Sequence, residues 1–211
     1  MARTKAPDFE AQREQILDLA AAAFAASSYP STSMADLAAA CGTSKARLYH
    51  YYESKEAILF DLLDRYTRQL MQIVTEVEAE GTRQSRNHRE TFAHLLRAFL
   101  AEYETSQTRH IALINDVKFL AEEQRDQILQ RERDVVAAFA RLLQRAYPER
   151  VTRDNQTALT MTVFGMINWT FTWLKPGGRL SYGAFAEMVV GLLEHGLAPG
   201  MPGADRGDRA D

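Results

Sequence analysis

Apolar residues recur every three to four positions along almost the whole chain, and no stretch alternates in the way of a strand. Ile16, Leu17, Ala20, Ala23 and Phe24 mark a leading amphipathic helix. Met34, Leu37, Ala38 and Cys41 mark a short second one with an inward face, and Leu48 and Tyr52 anchor a third. From Lys55 to about Glu80, Ile58, Leu59, Leu62, Leu63, Tyr66, Leu70, Ile73, Val74 and Val77 form one stripe. That is a helix of about 25 residues, roughly 37 Å long at 1.5 Å per residue. Gly81 is expected to end it, with the polar run 81–90 as a loop. Further helices are expected over 90–103, 108–120, 122–146, 152–174 and 181–197, the last two separated by Pro176-Gly177-Gly178. The fold class is all-α. The tail from Ala198 is rich in Gly, Pro and Asp, which predicts disorder.

The segment 31–60 is the most specific part of the chain. Thr32 or Ser33 can cap the second helix, and Asp36 favours its positive end. Gly42 follows the last periodic residue, as a left-handed C-cap requires, and Ser44 caps the next helix after only two or three turn residues. Two short helices held close and crossed form a helix-turn-helix. On the second, Lys45, Arg47, Tyr49, His50 and Tyr51 leave a surface of donors and aromatic hydroxyls opposed only by Glu53. Such a face matches the acceptors of a DNA groove: guanine O6 and N7 suit Arg and Lys, and phosphates accept from Tyr, Ser, Thr and Lys.

The pattern T-S-M-x-D-L-A-x-x-C-G-T-S-K-x-x-L-Y-x-Y-Y-x-S-K-E-x-I-L from Thr32 to Leu59 resembles the DNA-binding domain of the TetR family of bacterial repressors. The resemblance covers roughly residues 10–60. It implies a DNA-binding domain over 1–54, an effector-binding and dimerisation domain over 55–197, and a tail over 198–211. The DNA-binding residues implied are Thr32, Ser33, Thr43, Ser44, Lys45, Arg47, Tyr49, His50, Tyr51 and Lys55, with Lys45 and Arg47 on bases and most of the others on phosphates. Two positions depart from the family pattern. Ser28 stands where glycine usually follows the first helix, a strained site for serine, and Arg47 replaces what is more often a small residue, which suits a base-reading role.

Composition narrows the remaining choices. The 211 residues carry a net charge of −3, and 46% are hydrophobic, as in an ordinary globular protein of one or two domains. No apolar run approaches the ~20 residues a membrane helix needs, and MARTKAPDFE has no signal-peptide core, so a cytoplasmic protein without membrane association is expected. Cys41 is a single cysteine, and the five histidines show no i, i+4 pair, which argues against a disulfide or a metal site. Neither a nucleophile with a base partner nor a phosphate-cradling loop is present, so neither catalytic residues nor a resident cofactor are expected, and an enzyme is not. One feature runs against DNA binding: residues 1–55 hold six cations and six anions, Arg3, Lys5, Arg13, Lys45, Arg47 and Lys55 against Asp8, Glu10, Glu14, Asp18, Asp36 and Glu53. Only the strip 44–55 is basic.

The second half concentrates aromatic residues in FGMINWTFTW, 164–173, read as one helix with Met166, Trp169 and Trp173 on one side and Phe164, Ile167, Asn168 and Phe171 toward another. One side would line a cavity and the other a dimer interface; for any single aromatic, the plainer reading as a core or interface residue carries more weight. The family resemblance implies a homodimer through the last two helices, which fits the apolar run Val189, Val190, Leu192, Leu193 and Leu197. N-D-V-K-F-L at 115–120, E-E-Q-R at 122–125 and N-W-T-x-x-W-x-x-P-G-G at 168–178 look like a subgroup responsive to acyl-CoA thioesters and tied to fatty-acid or aromatic-acid catabolism. That implies an effector site including Phe99, Asn115, Lys118, Phe119, Phe164, Asn168 and Phe171. Arg109, Lys118, Arg125 and Arg179 are cations available for its phosphates, unless they are solvated helix faces. The function implied is a ligand-responsive repressor on a palindromic double-stranded operator.

Overall fold

The computed structural model describes residues 5–197, and within them every regular element is helical. The elements are α1 (Lys5–Ser27), α2 (Met34–Ala40), α3 (Lys45–Tyr51), α4 (Lys55–Arg83), α5 (His88–Thr105), α6 (Gln107–Asp116), a 3-10 turn (Val117–Phe119), α7 (Glu122–Ala146), α8 (Gln156–Asn168), α9 (Thr170–Trp173) and α10 (Tyr182–Leu197). The tail expected to be disordered lies outside the described residues.

By compactness the chain forms two units, one from residues up to Thr75 with Glu102–Val136, the other from Glu76–Ala101 with Ala137 onward. This division differs from the domain boundary expected at residue 54. The reason is that α1 packs along α6, a segment more than 90 residues later. In the first unit, Leu17, Ala20, Phe24, Leu37, Leu48, Ile58, Leu59, Leu62, Leu63 and Tyr66 are buried together as its core. In the second, Phe139 is the hub: its ring lies 4.7 Å from that of Phe99, 6.2 Å from Phe92 and 4.7 Å from Phe164.

The helix expected over 108–120 ends at Asp116, before the 3-10 turn, and two further boundaries move. Gly81 does not end α4, which runs on to Arg83. A Cβ at Gly81 would sit 2.8 Å from the Thr91 Oγ1, so the missing side chain serves the close approach of α4 to α5 rather than a break. The helix stops where Ser85 turns left-handed at φ 52°, with Arg86 N–H donating to Gly81 O and Ser85 N–H to Thr82 O. The second change is that 152–174 is not one helix. It starts at Gln156 and breaks at Trp169, where the Thr170 hydroxyl donates to Ile167 O at 2.8 Å and the Thr172 hydroxyl to Trp169 O at 2.7 Å. Hydroxyls bonding back three residues compete with the helix ladder.

Candidate nucleic-acid interface

The helix-turn-helix is built largely from local hydrogen bonds. Ser33 caps α2: its Oγ accepts from Asp36 N–H, and the Asp36 carboxylate accepts from the Ser33 N–H at 2.8 Å and from its hydroxyl at 2.6 Å. Those bonds hold the Asp36 carboxyl below its ordinary pKa. At the other end Gly42 takes φ 60°, and the N–H groups of Gly42 and Thr43 close on Ala39 O and Ala38 O. No neighbour restricts a side chain at Gly42, so conformation alone selects glycine there. Ser44 then caps α3, its Oγ accepting from Arg47 N–H at 3.1 Å.

Leu48 is the buried pivot of α3, with no exposed surface. Past the end of the helix, the Tyr52 hydroxyl donates to Asp61 at 2.6 Å and accepts from Arg13 Nε at 3.2 Å, while Arg13 Nη2 reaches the same carboxylate at 2.7 Å. Burial opposes the charge on Asp61, but Arg65, Tyr52 and Arg13 outweigh it and keep the pKa below its ordinary value. Phe9 on α1 completes the support, stacked on Tyr51 at 4.9 Å and edge-on to His50 at 6.1 Å. Phe9, Arg13, Asp61 and Arg65 escaped the sequence reading. Only Phe9 offers a signal, the one large apolar side chain among residues 8–15.

Lys45, Arg47, Tyr49 and His50 are exposed on one short helix, Tyr49 at 46%. Lys45 lies 5.8 Å over the Tyr49 ring, and Tyr51 is half-buried against Phe9. Ser33 and Ser44 are exposed at the two helix starts, and Thr43 is half-buried between them. Two expected phosphate ligands have other work. Thr32 is buried, its hydroxyl donating to Ser28 O at 2.8 Å. Lys55 donates to Tyr29 O at 2.9 Å and Thr32 O at 2.8 Å and lies 4.1 Å over the Tyr29 ring, leaving one of its three N–H groups for anything else. Ser28, the other departure, is left-handed at φ 65°, the strained conformation expected of it. Cys41, expected inside, is only half-buried, and desolvation raises its thiol pKa.

The expected effector residues fall in both units. In the first, Asn115 is exposed, Lys118 lies 5.2 Å over the Phe119 ring, and Phe119 stacks on Tyr29 at 5.2 Å. In the second, Phe99 and Phe164 are buried against Phe139, and Asn168 and Phe171 are half-buried. Arg109 is neither a solvated cation nor an available phosphate ligand. It is buried and donates to Asp18 at 2.7 Å and to Glu14 of α1. Among the described residues, three or more His, Cys, Asp or Glu side chains nowhere gather as a metal site, and no helix is long and apolar enough to cross a membrane.

Comparison with known proteins decides the family. Residues 16–62 match the model of bacterial regulatory proteins of the tetR family, and residues 85–197 match that of the tetracyclin repressor-like C-terminal domain. The chain belongs to the TetR family. It is a DNA-binding transcriptional regulator and not an enzyme. A TetR-family regulator from Bordetella parapertussis superimposes with a TM-score of 0.79 at 37% identity, over 85% of this chain and 92% of that one. AibR, solved in complex with isovaleryl coenzyme A and operator DNA, superimposes with a TM-score of 0.73 at 26% identity, over 86% and 97%. The transcriptional repressor KstR2 of Rhodococcus jostii is 25% identical over 193 residues, 89% of this chain and 91% of that protein. Within this TetR fold, the 16–62 match spans α2, α3 and the start of α4, the elements that carry the exposed donors.

Proposed function

We propose that this TetR-family regulator is a repressor that binds a palindromic operator as a homodimer and is released by an acyl-CoA thioester. The observation that carries the DNA reading is the exposed row Lys45, Arg47, Tyr49 and His50 on a helix immobilised by Leu48, Tyr52 and Phe9. Arg47 and Lys45 read base edges. Ser33, Thr43, Ser44, Tyr49 and Tyr51 hold phosphates, and His50 serves in either role. Thr32 supports from behind, and Lys55 adds its remaining N–H. Two copies of α3 would enter successive major grooves roughly 34 to 36 Å apart.

The dimer reading is supported by an apolar surface on α8–α10: Met161, Trp169, Trp173, Met188 and Leu192 are all exposed, Leu192 at 63%. A patch of this kind on a regulator acting in the cytoplasm favours a partner copy. The thioester reading is supported by the likeness to AibR bound to isovaleryl coenzyme A together with the sequence motifs at 115–125 and 168–178. Phe99, Phe164, Asn168 and Phe171 are its candidates in the second unit, Asn115, Lys118 and Phe119 in the first.

The first unit also supplies a route by which an event at α6 or the following 3-10 turn reaches the reading head. Phe119 stacks on Tyr29, whose carbonyl and ring hold Lys55 and whose hydroxyl donates to Glu56 at 3.2 Å, both at the start of α4. Arg109 ties α6 to α1. Displacement of α6 would thus pull on two helices that support α3. A hundredfold loss of operator affinity needs about 2.7 kcal/mol of coupling between the two sites.

A mobility-shift titration on DNA flanking the gene, repeated with a panel of acyl-CoA thioesters, tests the whole reading. The expected result is a specific shift abolished by one thioester. A shift indifferent to every thioester would remove the acyl-CoA part in favour of another hydrophobic or aromatic effector. Absence of any shift would favour a helical dimerisation module without DNA binding.

A further inference from the structure

In the second unit, where α4 gives way to α5, a polar cleft of about 320 Å³ is used by neither the DNA-reading residues nor the candidate effector residues. Its walls carry Glu78, Thr82, Ser85, Arg86, His88 and Arg145. Its construction starts with the left-handed Ser85, which folds the chain back so that Arg86 returns alongside the last turn of α4. There the Arg86 Nη2 donates to Glu80 at 3.1 Å, and Glu80 is shared with His94 at 3.2 Å. The Arg86 Nη1 is buried and has no acceptor. Glu80 therefore does not exhaust the donors of this guanidinium.

The second cation is loosely held. Arg145 is exposed, and its nearest carboxylate, on Glu78, is 3.9 Å away, beyond hydrogen-bond reach. The start of α5 does not supply the attraction by itself, because Asn87 and Glu90 already cap it reciprocally at 2.9 and 3.1 Å. What the cleft offers is two guanidinium groups and the Ser85 hydroxyl, opposed by Glu78 alone, since Glu80 is engaged by Arg86 and His94. A fork of N–H donors of this kind suits the tetrahedral oxygens of a phosphate.

We propose that this cleft is an oxyanion site that takes a phosphate group, anchored by Arg86 and Arg145. The group comes either from free inorganic phosphate or from a phosphorylated nucleotide portion of a larger ligand. The inference does not depend on the operator or thioester readings.

Isothermal titration of the full chain, without DNA or thioester, in a phosphate-free and sulfate-free buffer, tests it with two probes: inorganic phosphate and adenosine 3′,5′-bisphosphate. Wild type should bind at least one. Arg86→Gln should weaken that binding by about tenfold or more, as expected for loss of a charge-assisted fork. Arg145→Gln alters an exposed side chain that the fold does not need, and should weaken binding severalfold. Glu78→Gln, which removes the opposing carboxylate, should tighten it. Equal affinity for the two probes would assign the site to the free anion; markedly tighter bisphosphate, with the same sensitivity to Arg86→Gln, would assign it to a nucleotide. Absence of heat with both probes, or Arg86→Gln and Arg145→Gln variants that bind like wild type, would overturn the proposal and leave the DNA reading untouched.

Discussion

Along α3, Lys45 and Arg47 carry their charge into solvent with no carboxylate within salt-bridge distance among the described residues, whereas elsewhere in the same unit Arg13, Arg65, Arg109 and Arg131 each end on one. This difference removes the objection raised by composition. Four of the six acidic side chains that cancel the charge of the first 55 residues are occupied: Glu10 and Glu14 by Arg65, Asp18 by Arg109, and Asp36 by its own helix cap. Their potential is spent inside the unit. The face left over is cationic although the segment is neutral, so net charge misjudges a surface when one sign is internally paired.

The comparison predicts that residues which hold α3 in place and residues on its face fail differently. Leu48→Ala should have the largest effect, a loss of about 2 to 5 kcal/mol of stability from an emptied core position, read by urea denaturation. An unchanged midpoint would mean that α3 is not held by its pivot. Arg109→Ala should cost about 2 kcal/mol, discounted because Glu14 and Asp18 remain partly solvated, with operator discrimination retained. Arg47→Ala should do the reverse: stability within about 0.5 kcal/mol of wild type and a loss of about 1 to 3 kcal/mol on the specific site only. Paired melting and mobility-shift measurements on these two variants would break the comparison if both readouts moved together.

Lys55 belongs to both classes. Lys55→Met should cost about 1 kcal/mol of stability, because two carbonyls lose a charged donor. It should also weaken binding to all DNA about equally and reduce the salt slope by roughly one unit. Retention of the full salt slope would assign Lys55 to the fold alone.

A smaller effect comes from Glu132 on α7, where burial raises the carboxyl to about 7 against a modest opposing pull from Arg133. The folded state therefore holds this proton more tightly than the unfolded chain. The resulting stability is complete below the unfolded pKa and is lost as pH rises through about 7. Between pH 6 and pH 8 wild type should lose about 1 kcal/mol on this account, and Glu132→Gln should flatten that part of the profile. A parallel profile in the variant would sink the assignment. Smallest of all, Ser28→Gly should raise stability by about 0.5 kcal/mol, relief of the left-handed strain being partly offset by the entropy glycine loses on folding.

How far the sequence could be read depended on the distance between interacting residues. The helix-turn-helix was legible almost to the atom because its signals are local: Ser33 with Asp36, Gly42 with Ala39, and Ser44 with Arg47 all act within a few positions, the range over which caps and turns are decided. Helix starts and stops elsewhere were found to within a few residues for the same reason. The failures all lie where a distant or competing partner decides. Gly81 reads as a terminator until Thr91 is seen packed against it, and residues 164–173 read as one helix until the threonine hydroxyls take up its carbonyls.

Sequence alone thus determined an all-α chain, a helix-turn-helix and the polar residues on its second helix, because backbone periodicity and capping are written in neighbouring side chains. The tertiary structure decided which of those side chains are free. Arg109 pairs with Asp18 across 91 positions and Arg65 with Glu10 across 55, and no periodic pattern records such pairs. Lys55 turns from the expected phosphate to Tyr29 and Thr32, and the half-buried Arg86 keeps one N–H-bearing nitrogen, Nη1, without an acceptor, because only the folded backbone sets which acceptors lie within hydrogen-bond reach of each cation.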